Sequence, residues 1–355
     1  MKNALVLTTS YPRYFGDFAG NFVKSYICQN LKDYKVKVIC PNSKNADDSY
    51  EKQISISRFN YFFKSKQNLA YGNGIPDNFK KISALIQIPF FLVSFFINSF
   101  KEVKNKNLIV SHWLLPSGVI GSLLHLFFKV EHRCVIHGGD FYLSKKIFAG
   151  KYFRSFVYKN SSLLEVVSPK ILNEIKKETE TEASLIKLPI ETEDYDLTKN
   201  LDSIYEEFKL KKDKKIILCL ARLIRLKGVN FFISASQGLE DYQFVVAGNG
   251  EEEENLKDLA KKLKVRINFF NDIFGQKKWD LLRVADLVVI PSIEINGREE
   301  GTPIVALESL FLGKKIIATK TGGLKYLIEN GKNGWLVEPE NSGQIHSKIL
   351  EFFSK

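Results

Sequence analysis

Short apolar runs separated by longer amphipathic stretches recur along the whole chain. In the first half the runs are residues 4–7, 36–40, 108–110, 133–136 and 164–167; in the second they are 215–219, 243–247, 266–269, 287–290, 315–318 and 334–337. Most are rich in Val, Ile and Leu rather than alternating with polar residues, which is the pattern of parallel strands covered on both faces. The stretches between them are long enough for helical crossovers. The pattern therefore predicts an α/β protein of two doubly wound domains, 1–188 and 189–355, with the charged stretch 191–214 as linker. A ligand is expected at the carboxyl ends of the strands.

One segment departs from this rhythm. Residues 82–100 are nearly all apolar and rich in Phe, but Gln87, Pro89, Ser94 and Asn98 leave runs shorter than the roughly 20 residues that cross a bilayer. A core helix of the first domain is the first expectation. An interfacial helix is the second, because Lys80, Lys81, Lys101, Lys104 and Lys106 flank the segment. The net charge of +12 sharpens that alternative: residues 1–188 hold 27 Lys and Arg against 14 Asp and Glu, whereas the remainder is close to neutral. Such asymmetry suits an anionic membrane leaflet. A nucleic-acid partner is not expected, since no binding module accompanies the charge. Cys28, Cys40, Cys134 and Cys219 form no metal or disulfide framework and read as buried thiols. With an amino terminus that runs straight into a strand, they point to a cytoplasmic protein.

Candidate chemistry lies at the strand ends. After the run 287–290 come Pro291, Ser292 and then Glu300-Gly301-Thr302-Pro303-Ile304, with Glu308 further on and Gly313 at the close. Thr302 suits an N-cap, Pro303 the first helical position and Gly313 the residue past the end of a helix of about three turns. The N–H groups from Ile304 onward would carry the positive end of the helix dipole, a place for a phosphate. Arg222 and Lys227 stand where the run 215–219 turns into a helix at Gly228, and Gly248-Asn249-Gly250 forms another strand-end turn. Taken alone, two Glu eight apart also fit a capping acid and a solvated helix residue.

Together these residues resemble a known family. Glu300-Gly301-x-Pro303-x4-Glu308 after a strand and Pro-Ser is similar to the E-x7-E segment of retaining nucleotide-sugar glycosyltransferases of the GT-B fold, family 4 in particular, and Arg222-x4-Lys227 matches that family's diphosphate element. The resemblance implies two Rossmann-like domains facing a central cleft that closes over the substrates, with acceptor bound by residues 1–188 and nucleotide-sugar donor by 189–355. It implies Arg222, Lys227, Gly20, Thr302 and Ile304 at the diphosphate, Glu308 at the ribose, and Gly248, Gly250, Ile273, Gly301 and Pro303 near the sugar or base. Glu300 would hold sugar hydroxyls. After Gly322-Gly323 the family carries x-Pro-Glu where this chain has Leu324-Lys325-Tyr326.

In the first domain the loop after residues 4–7, with Gly16, Asp17 and Gly20, resembles the family's loop near phosphate and acceptor, with Gly16 and Asp17 on the acceptor side. His137, in His137-Gly138-Gly139-Asp140, would lie against the donor sugar, and His112 near the acceptor or in a structural role. A His–Asp pair also fits a hydrolase, but no Gly-x-Ser-x-Gly elbow is present. Asp194-Tyr195-Asp196 spells a metal-binding Asp-x-Asp, yet it falls in the expected linker, and the cations would neutralise the diphosphate, so no metal and no cofactor is expected. The expected partners are a nucleotide sugar and a glycan or lipid-linked acceptor, on the inner face of the cell membrane. Other readings are a GT-B-like epimerase or phosphorylase, or a non-catalytic nucleotide-sugar-binding homologue.

Overall fold

The β-branched runs pair in parallel and sort into two sheets, one in each of two units, Met1–Pro189 and Ile190–Lys355. This computed structural model describes residues 2–14, 17, 19–71, 82–186, 190, 195–295 and 299–354. In the first unit β1 (Lys2–Leu7), β2 (Tyr34–Pro41), β3 (Ser55–Phe59), β4 (Leu108–His112), β5 (Glu131–Ile136), β6 (Leu163–Val166) and β7 (Ala183–Leu185) lie in the order β3-β2-β1-β4-β5-β6-β7. In the second, β8 (Ile216–Leu220), β9 (Gln243–Ala247), β10 (Ile267–Phe270), β11 (Leu287–Ile290), β12 (Lys315–Thr319) and β13 (Gly334–Val337) lie in the order β10-β9-β8-β11-β12-β13. The direction of winding reverses between β1 and β4, and again between β8 and β11. At such a reversal the loops leaving adjacent strands diverge to opposite faces, which opens a crevice at the strand carboxyl ends.

Central strands are buried on both faces, Leu5, Val6, Ile217, Leu218, Val288 and Ile317 among them. Each such side chain contributes about 1.5–3 kcal/mol on leaving water. Strands β3 and β7 have no apolar run in the sequence. They sit at sheet edges, where partial exposure lets Ser55, Ser57 and Arg58 interleave with Ile56 and Phe59.

Three expectations are corrected. From Tyr195 onward the charged stretch 191–214 is not a linker: Ile204, Phe208 and Leu210 pack in the core of the second unit, and helix Leu201–Glu207 carries the charges outward. Segment 82–100 is not simply a core helix. Helices Ile82–Leu85 and Ile88–Glu102 bury Ala84, Phe91, Phe95 and Ser99, while Ile86, Phe90, Val93 and Ile97 face outward. Cys28 is exposed on helix Asn21–Asn30, and only Cys40, Cys134 and Cys219 are buried. Gly16, Lys80, Lys81 and Asp194 lie outside the described residues.

Candidate functional site

Three loops of the second unit are tied together by main-chain bonds and by glycines that leave no room for a side chain. Leu223 donates to Asn249 O (2.8 Å), Glu252 to Leu223 O (2.9 Å) and Ile293 to Leu226 O (2.9 Å). A Cβ on Gly248 would lie 2.0 Å from Ala221 O, one on Gly250 2.1 Å from Leu223 O, and one on Gly228 2.0 Å from Pro291 O. The loops after β8, β9 and β11 therefore approach backbone to backbone. Asp272 extends the network, exchanging bonds with Asn249 at 2.8 and 2.9 Å, which sets the turn that carries half-buried Ile273.

This framework carries the charged residues. Lys227 ends a short 3-10 turn, Arg225–Lys227, and its ammonium pairs with the Glu300 carboxylate. The other oxygen of Glu300 accepts from buried Ser292 Oγ at 2.6 Å. Thr319 and Thr321 hydroxyls donate in turn to Ser292 O, so the end of β11 is fixed. Arg222 is exposed on the same loop as Lys227, as is Arg225. Gly322, with φ +46°, is packed so tightly that a Cβ would sit 1.7 Å from Glu300 O, and Gly323 N–H donates to Gly301 O (3.0 Å). Just beyond, Lys325 pairs with Glu299 at 3.2 Å, so the residues that depart from the family pattern also hold this loop.

Helix Ile304–Phe311 starts one residue later than expected and is shorter, at eight residues. Pro303 is its N-cap, with an extended ψ of 128°, and Thr302 does not cap it. Pro303 lacks an N–H and its φ suits either state, so the helix begins where bonds can form, with Ala306 N–H donating to Pro303 O at 3.1 Å. The Thr302 hydroxyl instead lies against Gly323. Ile304 and Val305 N–H groups lead the helix, and Gly313 follows it at φ +69°. Glu308, 3% exposed, pairs with the Lys278 ammonium.

In the first unit, the loop from β1 to helix Asn21–Asn30 is stapled internally. Asp17 is buried beneath Arg13, bonded at 2.6 and 3.0 Å, and also accepts from Ala19 N. Gly20, φ +73°, brings the helix start against Ser10 O. At the ends of β4 and β5 the rings of His112 and His137 meet, Nδ1 to Nε2, at 3.1 Å. Phe22 and Trp113 each lie 4.6 Å from the His137 ring, and Tyr26 lies 4.8 Å from His112. Burial holds the His137 imidazole down to about pKa 3 and lowers His112 with help from its neighbour, so both rings are neutral at pH 7. Asp140 is no partner to either ring. It accepts from the main-chain N–H groups of Leu114 (2.5 Å) and His137 (3.0 Å), and burial raises it to about 6 against those bonds. The His–Asp pair is thus a loop staple, not a hydrolytic dyad.

Residues 202–355 match the family model of glycosyl transferases group 1. An uncharacterized glycosyltransferase of Methanocaldococcus jannaschii is 29% identical over 276 residues, covering 74% of this chain and 71% of that protein. TuaC of Bacillus subtilis, provisionally named a teichuronic acid biosynthesis glycosyltransferase, is 26% identical over 252 residues, covering 69% and 61%. Among solved structures, HepE of Anabaena in complex with UDP superposes with TM-score 0.74 at 17% identity, over all of this chain and 90% of that one. The second unit belongs to the glycosyl transferases group 1. The fold is GT-B, with two Rossmann-like units.

Within this group 1 domain the structure brings together Lys227 and Glu300, with Arg222 on the loop of Lys227, and sets Glu308 on the helix that Ile304 opens. Two partners were not legible beforehand. Ser292 closes a strand-end motif that gives its side chain no role, and its buried hydroxyl facing a carboxylate appears only once β11 and the Glu300 loop are packed. Lys278 lies 30 residues from Glu308 on helix Gln276–Val284, and no local spacing signals the pairing. Among the described residues no three His, Cys, Asp or Glu side chains cluster as a metal site. Asp196 is engaged with Thr198 N and Oγ1 at 2.7 and 2.6 Å.

Proposed function

We propose that the chain is a retaining glycosyltransferase of the family 4 type, moving a sugar from a nucleotide diphosphate sugar to a glycan or lipid-linked acceptor in cell-surface polysaccharide or glycolipid synthesis. The observation that carries this reading is the Lys227–Glu300–Ser292 cluster at the strand reversal of the second sheet, with Arg222 on the same loop. In the reaction the bond from the anomeric carbon to the diphosphate oxygen breaks, and negative charge grows on the leaving phosphate. Arg222, Lys227 and the N–H groups from Ile304 onward receive that charge, a role that depends on donors fixed in advance. Gly20, Gly301, Thr302 and Pro303 shape the backbone that approaches the phosphates and sugar, and Gly248, Gly250 and Ile273 border the nucleoside. Glu308 accepts from the ribose hydroxyls.

Glu300 accepts from hydroxyls of the transferred sugar once phosphate draws Lys227 away. Retention follows if the acceptor attacks from the face the phosphate leaves, its proton passing to the departing phosphate oxygen and the new glycosidic bond forming at the anomeric carbon. His137 then contributes as a neutral hydrogen-bonding ring at the sugar rather than as a proton carrier, consistent with its low pKa. Asp17 and His112 stand behind the acceptor loops of the first unit as supports. With Arg222 and Lys227 at the diphosphate, we expect turnover without a metal ion, and unchanged rates in a chelator test that. The donor is identified by thermal-shift screening against UDP-, GDP-, ADP- and CDP-sugars, because a ligand selective for the folded state raises its midpoint. Selective stabilisation that disappears in Arg222→Ala supports the reading. No stabilisation by any nucleotide sugar contradicts it.

A further inference from the structure

The helix Ile88–Glu102 is apolar on two opposite faces, and only one is used by the fold. Phe91 and Phe95 are fully packed, against Phe59 at 5.3 and 4.8 Å, within a core that includes Val103, Ile120 and Leu124. On the other side Ile86, Phe90, Val93, Ile97 and Phe100 follow one another at intervals of three and four residues and stand in solvent, Phe90 54% and Val93 58% exposed. The stripe continues sideways. Phe100 touches Phe127, itself 67% exposed on the neighbouring helix, and Phe90 touches Phe62, which leads to Phe63, 71% exposed. An outward apolar patch of this breadth is rare on a protein surrounded by water alone.

The rim of the patch is basic. Lys64 and Lys66 follow Phe63, Lys101 and Lys104 follow Phe100, and Lys129 follows Phe127, all exposed. The nearby acids are occupied: Glu102 pairs with Lys37 at 2.7 Å and Glu131 with Arg133 at 2.9 Å. By length and composition residues 82–102 could cross a bilayer. Packing rules that out for this fold, because removing Phe91 and Phe95 from the sheet would open the core of the first unit.

We propose that this face lies in the headgroup region of an anionic bilayer, with Phe90, Val93, Ile97, Phe100 and Phe127 entering the acyl boundary and the five lysines meeting lipid phosphates. Apolar entry and a cationic rim are the two contributions that hold an interfacial helix at a surface. The proposal concerns the first unit alone and does not rest on the donor site.

Co-sedimentation of the full chain with vesicles tests it, using equal parts phosphatidylglycerol and phosphatidylcholine against phosphatidylcholine alone, at low salt and at roughly 0.15 M salt. Wild type is expected to pellet with the anionic vesicles, less at higher salt, and little with the neutral ones. Phe90→Ser/Phe127→Ser is expected to weaken binding on the order of tenfold, each ring losing part of its transfer into the bilayer. Lys64→Gln/Lys66→Gln is expected to weaken it by a similar factor on anionic vesicles only, and this pair carries the test if the Phe variant fails to fold. Wild type remaining in the supernatant overturns the proposal. So does undiminished binding by the Phe variant, folded by circular dichroism, or by the Lys variant. A wild-type dimer that both ignores vesicles and becomes monomeric in Phe90→Ser/Phe127→Ser also overturns it, since the face would then be a subunit contact.

Discussion

Replacing Glu300 by Gln separates its two proposed roles, because the pairing with Lys227 and the contact to sugar act in opposite directions on binding. Both side chains of the pair are 14% exposed, between a surface pair and a buried one. The Coulomb term at 4 Å with an effective dielectric of 20 is about 4 kcal/mol, but desolvation and the ordering of two long side chains offset most of it. A net value of about 1 kcal/mol remains. A nucleoside diphosphate without sugar must draw Lys227 from Glu300, so Glu300→Gln should tighten its affinity by about fivefold. Gln keeps an acceptor for the Ser292 hydroxyl, so the loop should hold its place. Lys227→Ala should instead weaken the same ligand: a lost charge-assisted bond of about 1.5–3 kcal/mol, less the pairing no longer broken, leaves about 0.5–2 kcal/mol. Calorimetric titration with the diphosphate of the preferred donor measures both. With the sugar attached, Glu300→Gln should lower turnover on the order of a hundredfold. If it weakens diphosphate binding as much as Lys227→Ala does, Glu300 is a phosphate-loop support and the sugar role fails.

Lys278→Met strands the buried Glu308 carboxylate and should cost about 2 kcal/mol, seen as a melting point lower by about 4–8 °C for a unit of this size; an unchanged midpoint would show that Glu308 does not need its partner. Gly322→Ala should destabilise more than Gly313→Ala, since both have positive φ but only the first Cβ meets an atom, 1.7 Å from Glu300 O; equal melting points would refute that packing. Stability of the first unit should fall from pH 7 to pH 5. His132 and His137 titrate near 4 and 3 in the folded chain because burial disfavours the charged ring, whereas unfolded His takes up a proton near 6.5, so protonation favours unfolding across that window. Asp140, raised to about 6, opposes this over the same range but offsets less than one ring's share, while His112, lowered by burial beside His137, adds to the loss. Urea midpoints at the two pH values decide it, and a constant midpoint would mean the rings are solvated.

Central strands were legible because burial on both faces forces continuous apolar runs, and strand-end motifs because glycine and proline have few alternative uses there. Strands β3 and β7 were not, since edge positions tolerate the polar residues of Ser55-Ile56-Ser57-Arg58. Helix Leu201–Glu207 was hidden for a related reason: its charges dominate the composition while Ile204, with Phe208 and Leu210 beyond its end, do the packing. The two faces of segment 82–100 show the limit most plainly. A sequence in which nearly every position is apolar has no periodicity left to say which side the sheet covers. Pairings such as Lys278 with Glu308 depend on how two distant helices dock, which residue spacing does not encode.

As a retaining transferase the chain would break the bond between an anomeric carbon and a nucleoside diphosphate and keep the sugar's configuration. Proton and phosphorus NMR of the purified chain, its preferred nucleotide sugar and a membrane-derived acceptor fraction follow this in one tube. Nucleoside diphosphate and glycosylated acceptor are expected to appear in equal amounts, with the anomeric signal of the product matching the donor's configuration. Inverted product, release of sugar phosphate, or an epimerised sugar formed without acceptor would contradict it.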